Sequence, residues 1–293
     1  MKYKTLTIGI PTYEAGESLV RTLTALYKAA KFLDVSKVLV AVDGKIISPH
    51  IQKRISNPKL QILNYKKREG QSARINSLIK NSTTDYLMLL NDDVLIEKNS
   101  LSNLFRVLNN ERVDLISTRV KPLLQTNIVE KIISVGVEMN KYLSKAWNNY
   151  DNLLSCNGRM LILSKKFYEQ VSIPSKIWNN DAYLFFACKS LSMSYKYLEN
   201  VAVHYRSPQT FQEHFKQSSK FRFSKSENTR YFKNYTNHYR IPFRYKLITF
   251  THSLKNRPLL TCLYSVLYLK SLTTPRKMPK LSYWDTDMTT KNI

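Results

Sequence analysis

Residues 85–94 read Asp-Tyr-Leu-Met-Leu-Leu-Asn-Asp-Asp-Val, an apolar run that stops at three polar residues, Asn91, Asp92 and Asp93. Two adjacent carboxylates offer hard oxygen donors, which suit Mg²⁺ or Mn²⁺, and a cation held there would hold phosphate in turn. An apolar strand of this kind is covered on both faces, as in a parallel α/β sheet. Ligands of such sheets bind in the crevice beyond the carboxyl ends of the strands, which is where these acids fall. Comparable polar segments follow other apolar runs. Ile10-Pro11-Thr12-Tyr13-Glu14 closes one and Val42-Asp43-Gly44 closes another, while Arg68-Glu69-Gly70-Gln71-Ser72-Ala73-Arg74-Ile75-Asn76 opens a helical pattern.

The elements that must position these residues are legible in the periodicity. Strands are predicted at 6–10, 37–42, 60–65, 86–90 and 113–118, with helices at 17–32, 71–81 and 101–108. Strands alternating with helices at this spacing imply parallel β-α-β units. From 120 to 152 the pattern loosens, and a long excursion over one face, above the site, is expected. Regularity returns with strands at 159–163 and 195–205, helices at 165–171 and 181–190, and a basic helix at 209–224. Beyond Pro242, apolar and basic clusters alternate up to Pro275, and a polar tail follows. There is no internal repeat.

Taken in order, the segments at Pro11 to Glu14, Asp43-Gly44, Arg68 to Asn76 and Asn91-Asp92-Asp93 resemble the family 2 glycosyltransferases with the GT-A fold. The resemblance implies a nucleotide-sugar-dependent transferase on a GT-A-like (Rossmann-like) α/β fold. Its mainly parallel sheet is flanked by helices, with a basic helical C-terminal extension. The expected division is a catalytic domain at 1–205, with a donor half at about 1–118 and an acceptor half at about 153–205, and an extension at 206–293.

The resemblance also implies roles. Pro11, Tyr13, Glu14 and Asp43 would hold the nucleoside, because a carboxylate accepts hydrogen bonds from a base N–H or from ribose hydroxyls. Glu14 also reads as a cap or solvent-facing residue, and Asp43 as a turn residue. Gly70 and Asn76 match the family's helix start, where Arg68 and Arg74 would bring positive charge to a pyrophosphate beside the helix N-terminus. Leu78 stands where relatives usually carry a small residue. Asn91, with Asp92 beside it, replaces the first acid of the family's Asp-x-Asp motif, and Asp93 is the implied ligand for Mn²⁺ or Mg²⁺. His204, at the end of Val201-Ala202-Val203-His204, is a further implied metal contact or a structural histidine.

On the acceptor side, Cys156-Asn157-Gly158-Arg159-Met160 resembles the family's acceptor strand, with Gly158 permitting close backbone approach and Arg159 beside it. Trp178-Asn179-Asn180-Asp181 resembles the segment carrying the catalytic base. Asn180 replaces its first acid and Asp181 keeps the second, as base or as a plain N-cap. Gln217-Ser218-Ser219-Lys220-Phe221 is a softened form of the Gln-x-x-Arg-Trp motif of processive members. Lys loses the guanidinium fork and Phe the indole N–H, so no processive polymerase is inferred. Trp284 to Lys291 weakly resembles a C-terminal signature of some bacterial and archaeal members, and no role is assigned to it.

The chain of 293 residues carries a formal charge of +25. The excess is concentrated between Val201 and Lys280, where Glu213 and Glu227 are the only acids. Such a surface attracts anions. The run at 258–269 is too short to span a bilayer, which takes about 20 apolar residues, but with its basic flanks and tyrosines it suits an interfacial helix on an anionic membrane, or a helix packed against the catalytic domain or a dimer partner. Lipid-linked glycans then become plausible acceptors, next to soluble glycans, for a UDP- or GDP-sugar donor. The start at Met1-Lys2-Tyr3-Lys4 shows no signal-peptide core, and Cys156, Cys188 and Cys262 are too far apart for a zinc or disulfide framework. A cytoplasmic protein, peripheral on the cytoplasmic face of the membrane, is expected. Two alternatives stand beside this: a degenerate transferase that only binds nucleotide sugar, and a basic nucleic-acid or anionic-surface binder. No RNA-recognition, helix-turn-helix or zinc signature supports nucleic acid.

Overall fold

The computed structural model describes residues 4–175, 177–273, 288–291 and 293. The first half runs β1 (Leu6–Thr12), α1 (Glu17–Tyr27), β2 (Lys37–Asp43), α2 (Pro49–Ile55), β3 (Leu60–Tyr65), α3 (Gln71–Lys80), β4 (Tyr86–Leu90), β5 (Val94–Ile96) and α4 (Ser100–Asn110). The second runs β6 (Leu115–Pro122), α5 (Ile128–Ala146), β7 (Met160–Ser164), α6 (Lys165–Tyr168), α7 (Asn180–Ser190), β8 (Tyr195–Tyr205), α8 (Phe211–Tyr231), α9 (Phe243–Asn256) and α10 (Pro258–Thr273).

The strands form one eight-stranded sheet in the order β3-β2-β1-β4-β7-β6-β8-β5. The first four are parallel. β7 runs antiparallel to both β4 and β6, β6 is parallel to β8, and β5 is antiparallel to β8. The sheet is therefore mixed, with a wholly parallel donor half. Period-two alternation assigns the faces. Ile8, Ile10, Val38, Val40, Met88 and Leu90 enter one apolar layer with α1, α2 and α4. Leu39, Ala41, Leu87 and Leu89 enter the opposite layer, with Ile75 and Leu78 of α3 and Leu184 and Phe185 of α7. Leu78, the departure from the small residue of relatives, fills the space above Gly9, where a Cβ would lie 3.1 Å from its methyl carbon.

Three expectations need correction. The stretch at 120–152 is not a loose excursion, because it contains the 19-residue helix α5. Asn127 accepts the Glu130 N–H at 2.9 Å, and Glu130 reaches back to the Thr126 N–H at 2.7 Å, a reciprocal cap that starts this helix. Ile132 and Ile133 then bury their side chains against Leu267 of α10. α1 stops at Tyr27 rather than near 32, because the Ala30 N–H is drawn to the Lys98 carbonyl at 2.9 Å. The helix expected at 165–171 is a single turn, α6. The apolar stretch after Pro242 is two helices, separated at Arg257-Pro258, where the residue before a proline leaves the helical region.

Candidate active site

The parallel strands deliver their ends to one edge. β1 ends at Thr12, whose hydroxyl donates to Asp92 at 2.5 Å and accepts the Ala15 N–H at 3.1 Å. The next residue, Tyr13, has the Arg68 guanidinium 3.8 Å from its ring centre and the Lys45 ammonium 4.5 Å from it. Glu14 pairs with Lys45 at 3.4 Å. Gly44 adopts φ +78°, and a Cβ there would meet Arg68 at 2.8 Å, so glycine is needed where β2 hands over to this cluster.

The register of β4 against β7 joins the two halves. Leu90 faces Met160, and the Asn91 N–H donates to the Arg159 carbonyl at 3.1 Å. Gly158 is thereby set against Asp181 in the first turn of α7. Its N–H supports the Asp181 carboxylate, and any Cβ at this position would overlap that carboxylate. Burial pushes the Asp181 carboxyl above its ordinary value, against the opposing Gly158 N–H and the positive charge of Arg159. Arg159 also acts on Asp93, so its charge is shared between the two acidic positions. Pro11, Asn91, Gly158, Asn180 and Asp181 line one narrow cleft.

Asp92 is 1% exposed, and Lys291 joins it in a direct ion pair. The same ammonium lies 3.5 Å from Asp93. Burial works against the charge of Lys291, but the carboxylates of Asp92 and Asp93 outweigh it and raise the ammonium's pKa. Burial likewise raises Asp93, helped by Asp92 and opposed by Lys291. Beyond the weak resemblance at 284–291, nothing in the sequence pointed Lys291 to these acids, from which it lies about two hundred residues along the chain. Its neighbours Trp284 to Asp287 lie outside the described residues.

The family 2 model, described as glycosyl transferase family 2, matches residues 7–171, more than half of the chain. The chain belongs to glycosyl transferase family 2. No curated protein matches the sequence. Among solved structures, a mannosyltransferase from Pyrobaculum calidifontis, in complex with GDP-Man and Mn²⁺, superposes with a TM-score of 0.63 at 14% identity, over 94% of this chain and 77% of that one. S. aureus TarS 1–349 superposes with a TM-score of 0.54 at 15% identity, over 74% of this chain and 65% of that one. TarS 1–349 in complex with UDP-GlcNAc gives 0.54 at 13% identity, over 75% and 66%. These likenesses establish a GT-A fold for this family member.

Several residues expected to touch ligand also make contacts within the protein. Asp43 is fully buried, accepts the N–H groups of Glu69 and Gly70 at 2.9 and 2.8 Å, and pairs with Arg74 at 3.2 Å. Arg74 is 1% exposed, pairs also with Glu69, and lies 3.8 Å over the Tyr65 ring. The pair thus shapes the turn that starts α3, with Gly70 at its N-cap, rather than facing solvent. Asn76 turns away from the site and exchanges two hydrogen bonds with the Ile173 backbone, at 2.8 and 2.9 Å. Asn180 accepts from the Ser72 hydroxyl at 2.7 Å and donates to Gln71 at 3.3 Å, which locks α7 to α3. A carboxylate in that buried position would lose far more solvation than the neutral amide, whose hydrogen bonds to Ser72 and Gln71 offset its burial.

His204 does not join the acids. Its ring lies 3.8 Å from Glu97, and burial lowers its pKa, which favours the neutral form. Among the described residues, no group of three or more His, Cys, Asp or Glu side chains is placed to hold a metal. The Trp178 N–H donates to Glu227 of α8 at 3.1 Å, which ties the segment before α7 to that helix. Gln217 lies on α8, and the Lys220 side chain is outside the described residues. A larger hollow, about 450 Å³ and lined by Tyr150, Tyr197 and Glu199, contains none of the expected site residues.

Proposed function

We propose that the chain transfers a sugar from a UDP- or GDP-linked donor to a hydroxyl of a glycan or lipid-linked glycan, with inversion at the anomeric carbon. The observation that carries this reading is the convergence of Pro11, Asn91 and Asp181 on one cleft beside Asp92 and Asp93. Membership of the family supports it, as do the donors held by the Pyrobaculum and S. aureus neighbours. Inversion rests on the family resemblance. In the transfer, Asp181 takes the proton of the acceptor hydroxyl, the oxygen bonds to the anomeric carbon, and the bond from that carbon to phosphate breaks. The nucleoside diphosphate leaves with the electron pair. The raised pKa of Asp181 suits a base that works near neutral pH. Tyr13, with Arg68 behind its ring, is the candidate platform for the nucleobase, and Glu14 the candidate for ribose or base hydrogen bonds.

The donor set at Asp92 and Asp93 fits Mn²⁺ or Mg²⁺, because these carboxylates already converge on one positive charge, the Lys291 ammonium. A divalent ion bound there supplies charge neutralisation for the departing diphosphate. We assign the catalytic machinery to residues 1–205 and a surface role to α9 and α10. These helices expose Phe243, Leu247, Leu259, Val266 and Leu269 beside Arg244, Lys246, Lys255, Arg257 and Lys270, with no acid between 243 and 273. Among the described residues, no helix is long and apolar enough to cross a membrane. Exposed apolar side chains beside basic ones, of which Arg257 pairs with Glu138 of α5, fit the surface of an anionic membrane, here its cytoplasmic face.

The test is Asp181→Asn. Nucleotide affinity is expected to stay within about twofold, while turnover falls by about a hundredfold or more, the range lost with a general base. Full activity in this variant would remove Asp181 from the role of base.

A further inference from the structure

Lys291 is held where the metal is proposed to bind. It sits on a short 3-10 turn, Met288–Lys291, far along the chain from β4. Two anchors fix this segment. The Thr289 hydroxyl donates to Glu213 in the first turn of α8 and accepts the Gln209 N–H at 3.2 Å, and the Thr289 N–H donates to Glu213 at 3.2 Å. Farther along, Arg21 of α1 donates to the Ile293 main-chain oxygen. Thr290 between them is buried, and the Lys291 side chain is only 13% exposed. The lysine is therefore not a long surface side chain that happens to find an acid. It is delivered to the acids by a segment bound at both ends.

We propose that Lys291 is an internal counter-cation of the Asp92–Asp93 pair, and that a divalent metal ion binds these carboxylates only by displacing it. The proposal rests on the reading of Asp92 and Asp93 as the cation site. Two carboxylates side by side repel each other, and one ammonium offsets half of their combined charge. A divalent ion offsets all of it, but an ammonium left in place would repel that ion at close range. The two occupants are thus exclusive. Metal affinity becomes the difference between two bound states rather than the affinity of an empty pair of acids. The consequence is a site that stays charge-compensated without metal and discriminates against weakly binding cations.

The test is Mn²⁺ binding, followed by electron paramagnetic resonance of the free ion, to the full chain without nucleotide. Lys291→Met keeps the length and apolar stem of the side chain and removes its charge. It is expected to bind Mn²⁺ about ten- to a hundredfold more tightly than the parent, the factor that corresponds to one charged hydrogen bond lost by the competitor. Thr289→Val, which releases an anchor but keeps the lysine, is expected to give a smaller gain. Adding Asp93→Asn to Lys291→Met should abolish the gain. Lys291→Met binding no more tightly than the parent, while Asp93→Asn binds less, would overturn the competition and leave the cation site standing. Mn²⁺ binding that ignores both Lys291→Met and Asp93→Asn would overturn the cation site itself, and the proposal with it.

Discussion

Asp181 shows how one residue type acquires a role from its surroundings. The carboxylate starts a helix, where an acid is ordinarily stabilised by the N-terminal dipole. Burial dominates instead and moves the pKa upward. The sign of the consequence follows directly. A base must be deprotonated, and a raised pKa means that the deprotonated form is lost at a higher pH as acidity increases. The acid limb of kcat/KM is therefore expected above the ordinary carboxylate range, and Asp181→Asn is expected to erase it. A limb that persists unchanged in the variant would assign it to another group. At this scale the sequence was informative wherever a residue follows an apolar strand. Asn91 and Asp92 could be placed from the strand that precedes them, Gly158 and Asp181 only from the family resemblance, and the structure brings all four to one edge of the sheet. It was least informative where two polar residues satisfy each other. Asp43 and Arg74 have the right types and positions for ligand contact, but nothing in spacing reveals that each is already the other's partner. Asn76, spent on the Ile173 backbone, is the same case.

At the scale of elements, the parallel β1 to β4 half follows from runs of Val, Ile and Leu bounded by polar ends. Its counterpart is assembled by pairings that periodicity does not encode. β7 enters antiparallel between β4 and β6, and this carries Gly158 to Asn91. The helix α5 was hidden because its apolar positions Ile128, Val129, Ile132, Ile133, Val135 and Val137 are β-branched and Gly136 interrupts them, a mix with weak helix preference. Its one clear local signal was Asn127-x-x-Glu130, a cap in which both side chains serve the backbone. Asn127→Ala is expected to lower the unfolding free energy by about 1 kcal/mol, the usual cost of a lost N-cap, measured by urea denaturation. α5 also supports α10 through Ile132, Ile133 and Leu267, so the same variant should soften that contact. No change in the urea midpoint would show that packing alone holds the helix.

The whole molecule divides its charge unevenly, with the positive excess concentrated after Val201. The basic, apolar faces of α9 and α10 predict sedimentation with vesicles of anionic phospholipid, little with neutral vesicles, and release by high salt. Leu259→Glu combined with Val266→Glu should abolish it. A salt-insensitive dimer with no vesicle binding would assign that surface to a second copy of the chain. The segment at 288–291 crosses the expected division between catalytic domain and extension, because Lys291 reaches Asp92. Contacts of such long range leave no trace in local pattern, which is why this segment carried no assignment from sequence. The central claim remains a diphosphate site built on Asp92 and Asp93. Its most direct test is the melting temperature with UDP, GDP, CDP or dTDP, each with Mn²⁺ and again with EDTA. A ligand that binds only the folded state must raise it. One nucleotide is expected to raise the melting temperature with Mn²⁺ and to lose that effect in EDTA. No shift with any nucleotide would contradict the account.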